Sequence, residues 1–312
     1  MDLSIIIVSW NTRQLLRDCL ASLPDACGDL DAEVLVVDNA SQDGSADLVR
    51  TEFPEHRLIE SGGNLGFSKG NNLAIPHARG QAVLLLNPDT VCPPESLVRL
   101  FAFLQEKPRA GVVGPLLVDA QGEPTLTWGF FPRARDHWLG FLDPKRWWLR
   151  GALSRRIVHV PALDDPSEQV DYVTGACFMM RRQALEEVGP LDEQFFMYFE
   201  ETDWCWRARQ AGYEVWYCAE ARVAHLEGQA AARVSWFSLR QFQKSYRLFV
   251  AKHYGPEQVG KFRLAQYAEY GMKALLRSLA VHDSHDNQVK AAVFREKARL
   301  QLMKDIKVEP PS

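Results

Sequence analysis

No stretch of the 312-residue chain approaches the roughly 18 consecutive apolar residues of a membrane-spanning helix, so a spanning protein is not expected. The N-terminus has no basic stretch, and the apolar run Leu3–Val8 is too short for a signal peptide. A cytoplasmic chain is expected, with any membrane contact peripheral and at the inner face. No two of the six cysteines have CxxC spacing, so neither a zinc site nor a disulfide framework is indicated. Cys177 lies in an apolar run and Cys205 between two tryptophans, settings that suit buried thiols better than reactive ones. There is no internal repeat. GxGxxG and GxxxxGK(S/T) are also missing, which leaves a dinucleotide fold and a P-loop unsupported.

What is present is ordinary in amount and uneven in place. The apolar fraction is 46%, enough for a sizeable core, in one large domain or two smaller ones. Net charge is −4, but residues 236–312 carry 14 Lys/Arg against 7 Asp/Glu, leaving −11 on the rest. Residues 128–160 add a second basic zone, 7 basic to 2 acidic. An acidic body with two basic zones suits an anionic partner or surface; uneven solvation of helices is the plainer reading.

Hydrophobic patterning alternates strand and helix to about residue 117. Leu3–Val8, Glu33–Val37, Arg57–Glu60, Ala82–Leu86 and Val112–Leu117 read as strands. Thr12 is placed as the N-cap of a helix whose apolar face holds Leu15, Leu16, Cys19, Leu20 and Leu23. Such alternation predicts an α/β fold with βαβ units around a mainly parallel sheet. Trp128–Pro166 is rich in Trp, Phe, Arg and Pro without a clean period and reads as a long loop with short helices. Tyr172–Met180 reads as one strand, Asp203–Gln210 as a helix closed by Gly212, and Glu214–Cys218 as a strand. Beyond Trp236 the pattern is helical. The expected division is 1–235, including the 128–166 loop, and a basic helical extension, 236–312.

Polar clusters stand at the ends of these strands. Asp38 and Asp89 each close one, and in a parallel sheet both face the crevice where ligands bind. Asp38 either accepts from a nucleobase or ribose, or caps the turn that follows. Asp89 can hold a divalent cation against a phosphate. Residues 64–72, Asn-Leu-Gly-Phe-Ser-Lys-Gly-Asn-Asn, permit close backbone approach, and Lys69 could meet a phosphate. In 195–207 an aromatic run leads to Glu200, Glu201 and Asp203 at a helix start. That position suits acids for capping, and apolar walls can also raise a carboxylate toward general-base duty. His225 would be an ordinary structural histidine unless Asp89 lies beside it, when the pair suits Mn²⁺.

Taken in order, 4–12, 36–45, 64–72, 86–90, 175–181, 199–203 and His225 resemble family 2 glycosyltransferases of the GT-A fold, over about three quarters of the chain. The pattern is most similar to the rhamnosyltransferase-like members that build cell-surface polysaccharide. The resemblance implies an inverting, metal-dependent transfer of a sugar, leaning to rhamnose, from a nucleoside-diphosphate sugar to a hydroxyl of a glycan or polyprenyl-diphosphate-linked glycan. It implies a nucleotide-sugar site of Ser9, Asn11, Asp38, Asn64, Gly66, Lys69, Asn87 and Asp89. A Mn²⁺ or Mg²⁺ ion would sit on Asp89 and His225, and the catalytic group would be Glu200, Glu201 and Asp203. Glu201 is the assigned base and Glu200 its rival. The chain departs from the family at Asn87, which stands where the DxD motif has its first acid, and at Glu201, where Asp is usual.

Aromatic residues among the basic residues of 128–160 suit a sugar platform, a membrane interface or simple core cover. The basic tail suits an anionic membrane surface, and nucleic acid is not an expected partner. Two other readings remain. One is a catalytically weak nucleotide-sugar-binding or scaffolding protein, favoured by Asn87. The other is a sugar-nucleotide pyrophosphorylase, disfavoured because Ser9-Trp-Asn-Thr12 replaces a basic glycine-rich loop after the first strand.

Overall fold

The structure, a computed structural model, describes residues 1–142, 159–226, 236–279 and 285–308. In chain order its first elements are β1 (Leu3–Ser9), α1 (Arg13–Cys27), β2 (Ala32–Asp38), α2 (Ser45–Glu52), β3 (Arg57–Glu60) and α3 (Gly66–Ala74). Next come β4 (Ala82–Leu86), β5 (Thr90–Val91), α4 (Ser96–Glu106), β6 (Ala110–Val118), β7 (Trp128–Gly129) and α5 (Ala134–Leu142). The middle holds β8 (Glu168–Gln169), β9 (Tyr172–Val173), β10 (Cys177–Arg181), α6 (Arg182–Val188), α7 (Glu200–Gln210) and β11 (Glu214–His225). The last helices are α8 (Trp236–Tyr254), α9 (Val259–Leu279) and α10 (His285–Leu302). They fall into two compact units. The first holds residues 1–130 and the described part of 158–230; α5 groups with the C-terminal helices in the second.

The first unit is built on a mixed sheet ordered β3-β2-β1-β4-β10-β6-β11-β5, with β8 added to β11. β3, β2, β1 and β4 run parallel, as the βαβ pattern predicts. β10 runs antiparallel between β4 and β6, and β6 pairs in parallel with β11. Every residue of β1, β4 and β6 is buried, as expected of strands covered on both faces. One face packs on α1, whose Leu16, Cys19, Leu20 and Leu23 are buried at helical spacing, and on Leu97, Leu100 and Leu104 of α4. All six cysteines are free and buried, and burial pushes the Cys19 thiol up to about 12.

Three local expectations are corrected. Thr12 stands at the N-cap position as expected, but its side chain does not cap: its hydroxyl pairs with Ser9 Oγ at 2.9 Å, and Asp43 Oδ2 accepts the Arg13 N–H at 2.8 Å instead. A loop distant in sequence thus supplies the cap, which local spacing cannot announce. The strand expected over Tyr172–Met180 is interrupted at 174–176, and β9 leaves the main sheet to pair with β7. β11 does not stop at Cys218. A register shift between Cys218 and Arg222 absorbs 219–221, and the strand resumes to His225.

The second unit packs α5, α8, α9 and α10 around a small apolar cluster that includes Leu239 and Leu300 and around a buried polar knot. His137 of α5 bridges two helices: Nδ1 lies 2.6 Å from Glu269 Oε2 and Nε2 2.7 Å from the Tyr246 hydroxyl. Lys273 pairs with the other Glu269 oxygen. Burial opposes ionisation of Glu269, but the bonds from His137 and Lys273 outweigh it and hold its carboxyl below the usual range. Segment 143–158, with Trp147, Trp148 and the basic residues between 145 and 156, lies outside the described residues. So does 227–235, where the expected boundary falls.

Leu84 lies at the middle of β4, fully buried and paired on both edges. Leu84→Ala should cost about 2–5 kcal/mol of stability. Urea denaturation should show it as a lower midpoint at unchanged slope.

Candidate functional site

The ends of β1, β2 and β4 form one edge, and the proposed site residues are strung along it. Asp38 ends β2 directly opposite Ser9, the last residue of β1. Only 4% exposed, its carboxylate splits: Oδ2 accepts the Ser41 N–H at 3.0 Å, and Oδ1 is buried without a hydrogen bond. Asn11, at φ 52°, ties the loops after β1 and β2 together. Its N–H donates to Ser41 Oγ at 3.0 Å and its Oδ1 accepts the Gln42 N–H at 2.7 Å. Ala40 is also left-handed, at φ 61°.

The glycine- and asparagine-rich stretch is stitched in on two sides. Asn64 Oδ1 accepts the Gly66 N–H at 3.1 Å, and Asn39 Nδ2 donates to the Gly66 carbonyl at 3.0 Å. The Phe67 N–H donates to the Phe196 carbonyl at 2.8 Å. Gly66 has φ 77°, and a Cβ there would stand 2.4 Å from the Phe196 oxygen. Only glycine satisfies both the dihedral and the contact. Lys69 is exposed on α3.

Beyond β4 the chain turns at once. The Asn87 N–H donates to the Ala176 carbonyl at 2.9 Å, and the Asn87 carbonyl accepts from the Thr90 hydroxyl at 2.7 Å. The turn is thus held by backbone, and the Asn87 side chain is half-buried at the edge. β5 pairs antiparallel with the end of β11, setting Thr90 opposite His225, and the Leu226 N–H donates to the Asp89 carbonyl at 2.8 Å. That pairing leaves His225 Nε2 3.2 Å from Asp89 Oδ1, an oxygen that is buried and takes no hydrogen bond. Sequence left this proximity open; β5, too short to read from the chain, produces it. Among the described residues, no group of three or more His, Cys, Asp or Glu side chains is arranged to hold a metal.

Gly175 carries the edge across to the acids. A Cβ at Gly175 would lie 3.8 Å from Glu201 Cβ and 3.9 Å from Phe67 Cε1, so Glu201, Gly175 and Phe67 are neighbours. The start of α7 is strained: Tyr198 and Phe199 take φ 69° and 71°, two consecutive bulky left-handed residues just before Glu200. Glu200 is buried, and desolvation followed by the neighbouring Glu201 charge raises its carboxyl well above the usual range. Glu201 is more open, and desolvation pushes it up to about 7. Asp203 is different. Fully buried, it accepts from Arg207 Nε at 2.9 Å, and that guanidinium also donates to the Val188 and Pro190 carbonyls at 2.8 Å. Asp203 therefore anchors α7 to 188–190, while Glu200 and Glu201 share its apolar entrance.

Residues 4–189 match the family model described as Glycosyl transferase family 2. The chain belongs to that family. The glycosyltransferase is similar to the N-acetylglucosaminyl-diphospho-decaprenol L-rhamnosyltransferase of Mycobacterium tuberculosis, 30% identical over 274 residues, 81% of this chain and 85% of the relative. It is also similar to a low-salt glycan biosynthesis hexosyltransferase of Haloferax volcanii, 28% identical over 80% of this chain and 72% of that one. The fold is GT-A. A mannosyltransferase from Pyrobaculum calidifontis in complex with GDP-Man and Mn²⁺ superposes with TM-score 0.57 at 17% identity, over 96% of this chain and 84% of that one.

Sequence reasoning read Tyr198 and Phe199 as apolar walls of the acidic cluster but not as left-handed residues, and it included Phe67 and Gly175 in the matching stretches without placing them beside Glu201. The one local signal was a glycine at 175 inside an otherwise apolar strand pattern. Gly66→Ala would add both left-handed strain and the Phe196 clash, so it should lower the thermal midpoint by several degrees. It should also cut transfer at least tenfold by shifting 196–201. A melting curve and a transfer assay on the same preparation check both.

Proposed function

We propose that this glycosyltransferase moves a sugar, rhamnose by its relatives, from a nucleoside-diphosphate donor to a hydroxyl of a polyprenyl-diphosphate-linked glycan, with inversion at the anomeric carbon. The observation that carries the reading is the run along one sheet edge from Ser9 and Asp38, through β4 and Asn87, to Gly175 and Glu201. The rhamnose and lipid-linked acceptor are supported by the name of the mycobacterial relative.

In this reading Asp38 Oδ1 accepts a hydrogen bond from the base or ribose, since its partner oxygen is already used by Ser41. Asn11, Asn64 and the backbone at Gly66 line the donor's approach, and Lys69 faces its phosphates. Asn87 hydrogen-bonds a ribose hydroxyl. Asp89 and His225 fit a divalent ion such as Mn²⁺ or Mg²⁺: one is a buried carboxylate oxygen lacking a hydrogen bond, the other an imidazole nitrogen 3.2 Å away. When bound, the ion neutralises charge on the departing diphosphate.

Glu201 takes the proton of the acceptor hydroxyl as that oxygen attacks the anomeric carbon and the bond to the diphosphate breaks. Burial sets its affinity for a proton near the working range of a general base. Glu200, buried deeper and raised further, stays protonated beside it and leaves Glu201 to carry the charge. Asp203 positions the helix through Arg207. A single displacement gives inversion.

Glu201→Gln should keep donor binding, read by thermal shift, and lose about 10²–10⁴-fold in transfer. Near wild-type turnover would place the base elsewhere. Because Glu201 must be ionised to accept the proton, kcat/KM should climb with pH to a plateau above about 7. A flat profile between pH 6 and 8 rejects that assignment. A thermal-shift screen of nucleotide-sugars with and without Mn²⁺ should show one donor stabilising the protein more with metal, and Asp89→Asn should abolish the metal increment.

A further inference from the structure

The second unit turns an apolar stripe toward solvent that its own packing does not use. On α9, Leu264, Tyr267, Leu275 and Leu279 are 59%, 42%, 53% and 64% exposed. Their spacing puts them along one side of the helix. On α10, Leu302 is 66% exposed. Between the two helices lies a groove of about 460 Å³, floored by Gly271 and Ala298, walled by Tyr267 and Leu302 and edged by Arg295 and Arg299. Soluble surfaces rarely leave such a stripe without a partner.

Charge selects the partner. α9 and α10 carry eight Lys/Arg against three Asp/Glu. One of those acids, Glu269, is buried against His137 and Lys273 and presents nothing outward. A second copy docking by the same face would bring two sets of arginines together, which opposes association. No helix among the described residues is long and apolar enough to cross a membrane. In the described part of the aromatic zone Trp128 and Phe131 are buried, while Trp138 and Leu142 of α5 are 39% and 72% exposed.

We propose that the α9 stripe, with Arg295 and Arg299 beside it, is a docking surface for a bilayer leaflet bearing anionic headgroups. The leucines and Tyr267 enter the headgroup–acyl boundary, and the arginines meet lipid phosphates while their stems cover apolar surface. The helices lie on the leaflet without spanning it. This surface is independent of which sugar or acceptor the enzyme uses.

The test is co-sedimentation of the full chain with vesicles of phosphatidylcholine alone or mixed with phosphatidylglycerol, at low and high salt. The wild type should bind the anionic vesicles, more strongly at low salt, and bind the neutral ones poorly. Leu275→Glu/Leu279→Glu should weaken binding about tenfold or more at an unchanged thermal midpoint. Leu126→Glu, on an exposed leucine of the first unit, should leave it intact. Arg295→Glu/Arg299→Glu should remove the preference for anionic vesicles. Equal binding by wild type and the leucine double variant overturns the proposal, as does equal binding to neutral vesicles. A fall in the double variant's midpoint shows the stripe packed within the chain and overturns it too. So does a dimer in sedimentation velocity that the double variant abolishes without any vesicle binding by the wild type.

Discussion

The reversal of β10 between β4 and β6 is the constraint on which the site depends. Had the strand beside β4 run parallel, the residues preceding it would lie at the far end of the sheet. Because β10 is antiparallel, Gly175 and Ala176 arrive where β4 ends, and the Asn87 N–H finds the Ala176 carbonyl at 2.9 Å. That backbone bond continues the β4–β10 ladder and ties the turn before Asp89 to the stretch that Glu201 packs against. Position 175 then lies within van der Waals reach of both Glu201 and Phe67.

The acidic entrance to α7 shows how three neighbouring carboxylates acquire different natures. Asp203 has a guanidinium and loses its freedom. Glu200 is buried, and desolvation with the Glu201 charge beside it raises its carboxyl well above the usual range. Glu201, with partial access, sits between these limits at about 7. Burial of the two glutamates also disfavours the folded state as they ionise, so their contribution to stability is greatest below the ordinary glutamate range and falls as pH rises through about 7. The strained Tyr198 and Phe199 add to that cost, and the bonds of Arg207 and Trp204 to the 188–190 carbonyls offset it.

Much of this was legible in the chain. Strands buried on both faces read as apolar runs, so β1, β2 and β4 were visible, and with them the carboxyl-end positions of Asp38 and Asp89. The order of short polar clusters carried the family. What stayed hidden depends on contacts between distant segments. Asp43 caps α1 across 30 residues. β5 is two residues long and carries no period, yet it sets His225 beside Asp89. The interruption at 174–176 and the left-handed pair at 198–199 arise from tertiary packing that overrides local preference. The grouping of α5 with the C-terminal helices follows from the bonds of His137, a residue that nothing in its neighbourhood distinguishes.

Asp38 divides its labour between two oxygens of one carboxylate: one closes the turn onto Ser41, the other keeps an unanswered lone pair. If Oδ1 reads the donor as proposed, scaffold and recognition are separable at the level of a single atom. Asparagine in its place would retain an oxygen for the turn while offering a donor where there is now an acceptor. The fold would persist and the polarity of the pocket would invert. On the proposed reading, position 38 is where one substitution would separate holding the turn from reading the nucleotide.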